Sequence, residues 1–145
     1  MAQKVRWTIH DLEDYPVVEG ERYEIIDGEL HVTTQPSLGH QRTCTRLTVA
    51  LENWDHQTGG GEVVGAPGII FDIENAVAPD LIWIGRSRLD LLLASDGKLH
   101  DAPDLVIEVL SPGSRNQRRD RQIKLHLYDE RGVREYGIVN GSAAR

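Results

Sequence analysis

Two carboxylates stand where buried strands normally carry apolar side chains. Glu108 lies in the middle of PDLVIEVLSP, residues 103–112, where the stretch from Leu105 to Leu110 is otherwise apolar on both faces. Asp80 follows Pro79 and opens a second apolar run, DLIWI. A carboxylate removed from water is costly unless it is paired, protonated or bound to a cation. Strand side chains alternate between faces, so Glu108 shares a face with Asp104, Val106 and Leu110, and Asp80 shares one with Ile82 and Ile84. Carboxylates on neighbouring strands can converge on one hard divalent cation. Mg²⁺ takes oxygen ligands and keeps several waters, so one or two carboxylates suffice. An ion held in this way polarises a phosphoryl oxygen and lowers the pKa of a bound water.

A cation follows in the next element. Residues 120, 123, 124, 127 and 128 recur at three- and four-residue spacing, so Lys124 sits among the packing positions Ile123, Leu127 and Tyr128, with Leu125 set apart. Its ammonium must snorkel or meet an anion, for which Glu108 and Asp80 are candidates. A structural ion pair would use the same spacing. The segment 115–124, RNQRRDRQIK, carries Arg115, Arg118, Arg119, Arg121 and Lys124 against Asp120 alone. It is therefore +4, leaving −11 for the rest of a chain whose total is −7. The total argues against nucleic-acid binding through the overall field. The basic segment can still meet phosphate locally, or form a solvated helix face.

The elements that must hold these residues follow from pattern and punctuation. Thr8 is placed to cap a short helix over 9–15, ended before Pro16. RYEIIDGELHV, residues 22–32, reads as a hairpin turning at Asp27-Gly28. In that register Tyr23, Ile25, Leu30 and Val32 form a core face. Glu24, Glu29 and His31 lie around Ile26 on the other, which looks at water or into a polar cleft. His40, Cys44, Leu47, Leu51 and Trp54 share a helical stripe that the glycines at 59–61 end. Two strands are expected at about 62–73 and 77–84, joined through Glu74-Asn75. RSRLDLLLASDGKLH is ambiguous between a helical turn or two and a loop. A strand at 104–110, a helix at about 115–131 stopped by Gly132, and a last strand in VREYGIV complete the order. The expectation is an α/β or α+β domain around one sheet, with a single domain over 1–145.

Other features exclude classes. No apolar run approaches a membrane span, and MAQKVRWTIHDLEDYP has no uninterrupted apolar region of the secretory kind. A cytoplasmic location is expected. The single cysteine, Cys44, cannot form an internal disulfide or a Cys-rich zinc site. It lies within a predicted helix, and no serine stands in a nucleophile setting, so metal-independent hydrolysis has no support.

Taken in order, YEIIDGEL, PSLGHQ, the PDL of residues 79–81, PDLVIEVLSPGS, DRQIK and GVREYGIV resemble the Uma-type putative restriction endonuclease family, a branch of the PD-(D/E)XK nuclease superfamily. The resemblance implies a restriction-endonuclease-like core, with a central mixed sheet flanked by helices and an N-terminal hairpin. It implies that Asp80 and Glu108 hold Mg²⁺ or Mn²⁺. The superfamily's usual lysine lies two residues past the glutamate, which here is Leu110. In this branch the lysine has moved to the following helix, at Lys124. Glu24 matches the hairpin glutamate as a further acidic group, and His40 matches PSLGHQ. His40 either lines the site or is a buried histidine bonded to backbone. Family members carry an aromatic residue where this chain has Gly137, and they continue past the last strand. The sequence given ends at NGSAAR, and an exposed edge there would be covered by a second copy.

The leading expectation is a Mg²⁺-dependent endonuclease that hydrolyses DNA phosphodiester bonds. Asp80, Glu108 and the Val109 carbonyl would bind the metal, Lys124 would stabilise phosphoryl charge, and Glu24 would assist. Arg115, Arg118, Arg119 and Arg121 would contact DNA phosphates. A homodimer is expected, with no membrane partner. The alternative is a non-catalytic nucleic-acid- or protein-binding module that retains the nuclease fold.

Overall fold

The computed structural model describes residues 4–16, 18–110 and 117–140, with side chains described for all of these except 117–120. Among the described residues no helix is long and apolar enough to cross a membrane. Helix α1 (Ile9–Glu13) starts at Thr8, whose amide donates to the Asp11 carboxylate at 2.8 Å. That reciprocal arrangement is a capping box.

The hairpin forms as its turn residues predict. Strands β1 (Arg22–Ile26) and β2 (Glu29–Thr33) pair with Ile26 opposite Glu29 and Glu24 opposite His31. Asp27 and Gly28 both take positive φ, 49° and 74°, as a type I′ turn requires. Both of its faces hold buried residues. On the expected core face Ile25 is wholly buried although Val32 is 43% exposed, and Glu24 and Ile26 on the other face are buried as well. Ile26 packs into the main core, so that face looks inward.

Each of the two long strands expected in 62–84 is cut by a proline. The observed strands are β3 (Gly61–Gly65), β4 (Ile69–Asp72), β5 (Asn75–Val77) and β6 (Leu81–Gly85). Ala66 adopts φ 47° before Pro67, and the second break falls at Ala78-Pro79. Proline has no amide to continue a ladder and forces its predecessor out of helical geometry. At each break the chain changes sheet. One sheet has the order β2-β1-β5-β4 and is antiparallel throughout. The other has the order β3-β6-β7-β8, with β7 (Leu105–Leu110) parallel to β8 (Glu135–Asn140). The mixed sheet is the one expected. The hairpin, extended by β5 and β4, forms a second sheet that the expectation of one sheet did not contain.

Between β6 and β7 the ambiguous stretch forms α3 (Arg86–Leu92), two turns long. The parallel pair is joined by α4 (Gln117–Glu130), followed by Gly132 at φ 80°. The main core lies between the two sheets. There Ile26, Ile69 and Val77 of the first meet Ile82, Ile84 and Val106 of the second, with Leu127 and Tyr128 of α4. A second cluster lies on the other face of the mixed sheet. Cys44, Leu47 and Leu51 of α2 (Leu38–Thr58) cover Leu81, Ile107 and Val109 there. Trp54 completes that stripe by meeting Trp83 edge-on at 5.2 Å. Each fully buried aliphatic side chain contributes roughly 1.5–3 kcal/mol. β7 is thus covered on both faces, which is why its sequence is apolar throughout. Glu108 is the exception, pointing the same way as Val106.

Candidate functional site

Two clusters of buried charge flank the end of β7. The first lies toward the antiparallel sheet and α4. Lys124 Nζ is 2.9 Å from Glu24 Oε1 and 3.2 Å from Glu108 Oε1. The Tyr128 hydroxyl donates to the same Glu108 oxygen at 3.0 Å. Glu24 Oε2 accepts from the Ala78 amide at 2.9 Å, so the hairpin grips the segment that leads through Pro79 to Asp80. Register explains why these groups meet. Glu24 projects from β1, Glu108 from β7 and Lys124 from the inward side of α4. Glu24 and Glu108 are almost wholly buried.

The electrostatics of this cluster are unbalanced. Burial pushes the Glu108 carboxyl up, Lys124 opposes that, and Glu24 and Asp80 push it further, to about 7. Burial pulls Lys124 down, but Glu24 and Glu108 outweigh it and hold the ammonium above its usual range. Burial and then Glu108 and Glu24 hold the Tyr128 hydroxyl protonated, which lets it serve as a donor.

The second cluster lies toward α2. Asp80 Oδ2 accepts from the Val109 amide at 2.7 Å. Its Oδ1 accepts from Arg22 Nη1 at 3.2 Å and Nη2 at 3.3 Å, and lies 3.3 Å from His40 Nε2. His40 Nδ1 is 3.0 Å from Gln41 Oε1. The ring is therefore held by side chains, and it is the His40 amide that takes part in the helix cap, donating to Ser37 Oγ at 3.1 Å. An open cavity of about 320 Å³ adjoins this cluster, walled by Arg22, Thr33, His40, Cys44, Ala66 and Asp80.

Donor chemistry separates two possible cation positions. His40, Cys44 and Asp80 bring one ligand atom each within 4.8 Å of one another. The Cys44 thiol is pushed up to about 11, first by burial and then by Asp80, and this set mixes sulfur and nitrogen with one carboxylate, a softer donor set than Mg²⁺ takes. Asp80 and Glu108 offer oxygen alone. Both hydrogen bonds to Glu108 fall on Oε1, and Oε2 accepts none among the described residues. Burial is the first cause of the raised Glu108 carboxyl, with Glu24 and Asp80 adding to it, and a nearby cation acts against both. Oxygen donors of this kind are the ones a hard divalent ion such as Mg²⁺ or Mn²⁺ takes.

The structure brings together Glu24, Glu108 and Lys124, and places His40 against Asp80 in the neighbouring cluster, whose charge Glu108 feels. It changes one pairing: Lys124 meets Glu24 and Glu108, and Asp80 is held by Arg22 instead. Val109 contributes its amide to Asp80 and its side chain to the α2 core. Arg121 is partly buried, and its charge lowers the Tyr136 hydroxyl against burial and Glu108, which raise it. Arg118 and Arg119 lie in α4 with side chains outside the described set, and Arg115 lies outside the described residues. Sequence reasoning missed Arg22 and Tyr128. Tyr128 could have been found, because its ring shares the inward side of α4 with Lys124. Arg22 carried no such signal, since a charged residue opening a hairpin reads as solvent-facing.

Comparison with known proteins agrees with this architecture. A search against curated proteins finds no match. Among solved structures, a putative nuclease from Anabaena variabilis is similar with a TM-score of 0.72 and 19% identity. The match covers 92% of this chain and 73% of that one, and it establishes a shared fold. With the model of the Uma2 family, described as "Putative restriction endonuclease", matching residues 9–145, the chain belongs to that family.

Proposed function

We propose that the protein is a Mg²⁺-dependent endonuclease that hydrolyses DNA phosphodiester bonds, with Mn²⁺ able to substitute. The observation that carries this reading is the Lys124 ammonium, fixed 2.9 Å from Glu24 and 3.2 Å from Glu108 in a cluster that also feels the charge of Asp80. Asp80 and Glu108 would hold the ion, with the Val109 carbonyl as a third ligand. When bound, the ion supplies Lewis-acid activation of a phosphoryl oxygen and of water. The protein's own groups do the rest. Glu24 and Glu108 aim the Lys124 ammonium, which stabilises charge developing on the phosphoryl group. Tyr128 fixes the Glu108 carboxyl by its hydrogen bond. His40 holds the Asp80 carboxylate from the α2 side. Arg115, Arg118, Arg119 and Arg121 supply sequence-independent phosphate contacts. The active form is a homodimer.

A second reading, a non-catalytic binding module, draws on one observation. Asp80 is already satisfied by Arg22 and the Val109 amide.

The test is cleavage of supercoiled plasmid and of single-stranded DNA in Mg²⁺ or Mn²⁺, with EDTA as control. Cleavage that EDTA abolishes is expected. Glu24→Gln should reduce it about 10–100-fold, whereas Glu29→Gln, at a residue paired with Lys4 on the rim, should leave it near wild type. DNA binding without cleavage in either metal would favour the binding module.

A further inference from the structure

We infer that Arg22 is a resident counter-cation that occupies Asp80 until a divalent ion replaces it, so that Arg22 weakens metal binding at the site. The inference rests on the proposed divalent site at Asp80 and Glu108 and concerns how that site is loaded.

Charge counting motivates it. Three buried carboxylates, Glu24, Asp80 and Glu108, face two cations, Arg22 and Lys124. With all of them ionised the group is one positive charge short of neutrality. A divalent ion together with Lys124 alone would balance the three carboxylates, and Arg22 then becomes surplus. The two cations are also held differently. Lys124 is enclosed between two carboxylates, with its side chain 14% exposed. Arg22 grips a single oxygen, Asp80 Oδ1, through both terminal nitrogens, and its side chain is 29% exposed. It stands at the wall of the open cavity, so it has somewhere to go. Burial pulls its guanidinium down, and Glu24, Asp80 and Glu108 outweigh this and hold it above its usual range. A guanidinium keeps its proton in proteins in any case, so Arg22 cannot leave the competition by losing it. Two cations that share one carboxylate oxygen are linked, and each lowers the other's apparent affinity. Arg22 is thus a positioning residue that keeps Asp80 in place in the metal-free protein.

Calorimetric titration of the purified protein with Mn²⁺, without DNA, tests this. Arg22→Gln should bind Mn²⁺ about tenfold more tightly than wild type, within the usual range of coupling between linked sites. Its melting temperature should rise more on Mn²⁺ addition than that of wild type. Arg22→Lys, which keeps a charge but loses the two-nitrogen grip, should fall between them; it carries the test if Arg22→Gln proves too unstable to titrate. A purely structural Arg22 predicts the opposite sign, because a loosened Asp80 binds metal less well. If wild type binds Mn²⁺ and neither variant binds more tightly, the inference is overturned and the divalent site stands. If no form binds Mn²⁺, the divalent site fails and the inference falls with it. Binding seen in Arg22→Gln but not in wild type would support the inference in its strongest form.

Discussion

The two charge clusters beside β7 differ in how their carboxylates are satisfied. Asp80 accepts on both oxygens: from the Val109 amide on one, and from Arg22 on the other, which His40 Nε2 also approaches to 3.3 Å. On the α4 side, two carboxylates divide one ammonium, with two neutral donors beside it, the Ala78 amide on Glu24 and the Tyr128 hydroxyl on Glu108. The first cluster is close to a finished ion pair. The second is left with surplus negative charge, and the cost appears in Glu108, whose carboxyl is raised to about 7 by burial in company with Glu24 and Asp80, against Lys124. The lesson is that burial alone does not mark a site. An incomplete balance does, because a structural ion pair has no reason to remain short of charge.

The largest test of this contrast is Lys124→Met, which keeps most of the apolar stem and removes the ammonium. Without metal, two buried carboxylates lose their shared cation, and the fold should lose on the order of 3–5 kcal/mol. In saturating Mn²⁺ the melting temperature should return near wild type, while single-turnover cleavage falls by about 100-fold or more. Melting that stays low in Mn²⁺, or cleavage at the wild-type rate, would make Lys124 a structural partner only.

The next test sets the two clusters against each other by pH. Glu108 has a folded pKa of about 7 against an unfolded value of about 4.3. Between these values the folded protein binds more protons than the unfolded chain. The contribution of Glu108 is therefore most favourable below about pH 4 and falls as pH rises through 7, by on the order of 3 kcal/mol in metal-free buffer. Glu108→Gln should remove that slope and melt at or above wild type at pH 8. Asp80→Asn should be less stable than wild type by about 1–3 kcal/mol, because Arg22 loses its charged acceptor. Both substitutions should weaken Mn²⁺ binding. Denaturant unfolding of the three proteins across pH 4–8 reads this directly, and equal responses of the two mutants would erase the distinction between the clusters.

Much of this contrast was legible in the sequence. Glu108 and Asp80 stood out because each interrupts or opens an apolar run, and Lys124 because it shares a helix side with Ile123, Leu127 and Tyr128. The hairpin register followed from Asp27-Gly28. Other parts were not legible. The change of sheet at Pro67 and Pro79 was hidden, because alternation continues on either side of each proline and period alone does not reveal which sheet a strand joins. The role of Arg22 depends on Asp80, far away in sequence, and no local pattern encodes that distance. The inward turn of the Glu24 face has no sequence signal of its own, because a polar cleft and bulk water demand the same residues.

The smallest test lies outside both clusters. A Cβ added at Gly137 in β8 would meet Ile107 at 3.7 Å, an ordinary contact. Gly137→Ala should therefore stabilise the fold by about 0.4–1 kcal/mol without altering Mn²⁺ affinity or cleavage. A change in either would mean that β8 transmits strain to Glu108 through the parallel pair.

The grip of Glu24 on the Ala78 amide and of Lys124 on Glu24 has a consequence for how the protein is made. Glu24 leaves the ribosome early and Lys124 late, and the site needs both. A nascent chain that has completed the hairpin and β7 still lacks the ammonium, and its two carboxylates repel each other. Truncated products ending before α4 would therefore carry the acidic residues without the means to hold them together. Synthesis itself would then delay hydrolytic activity until α4 has emerged.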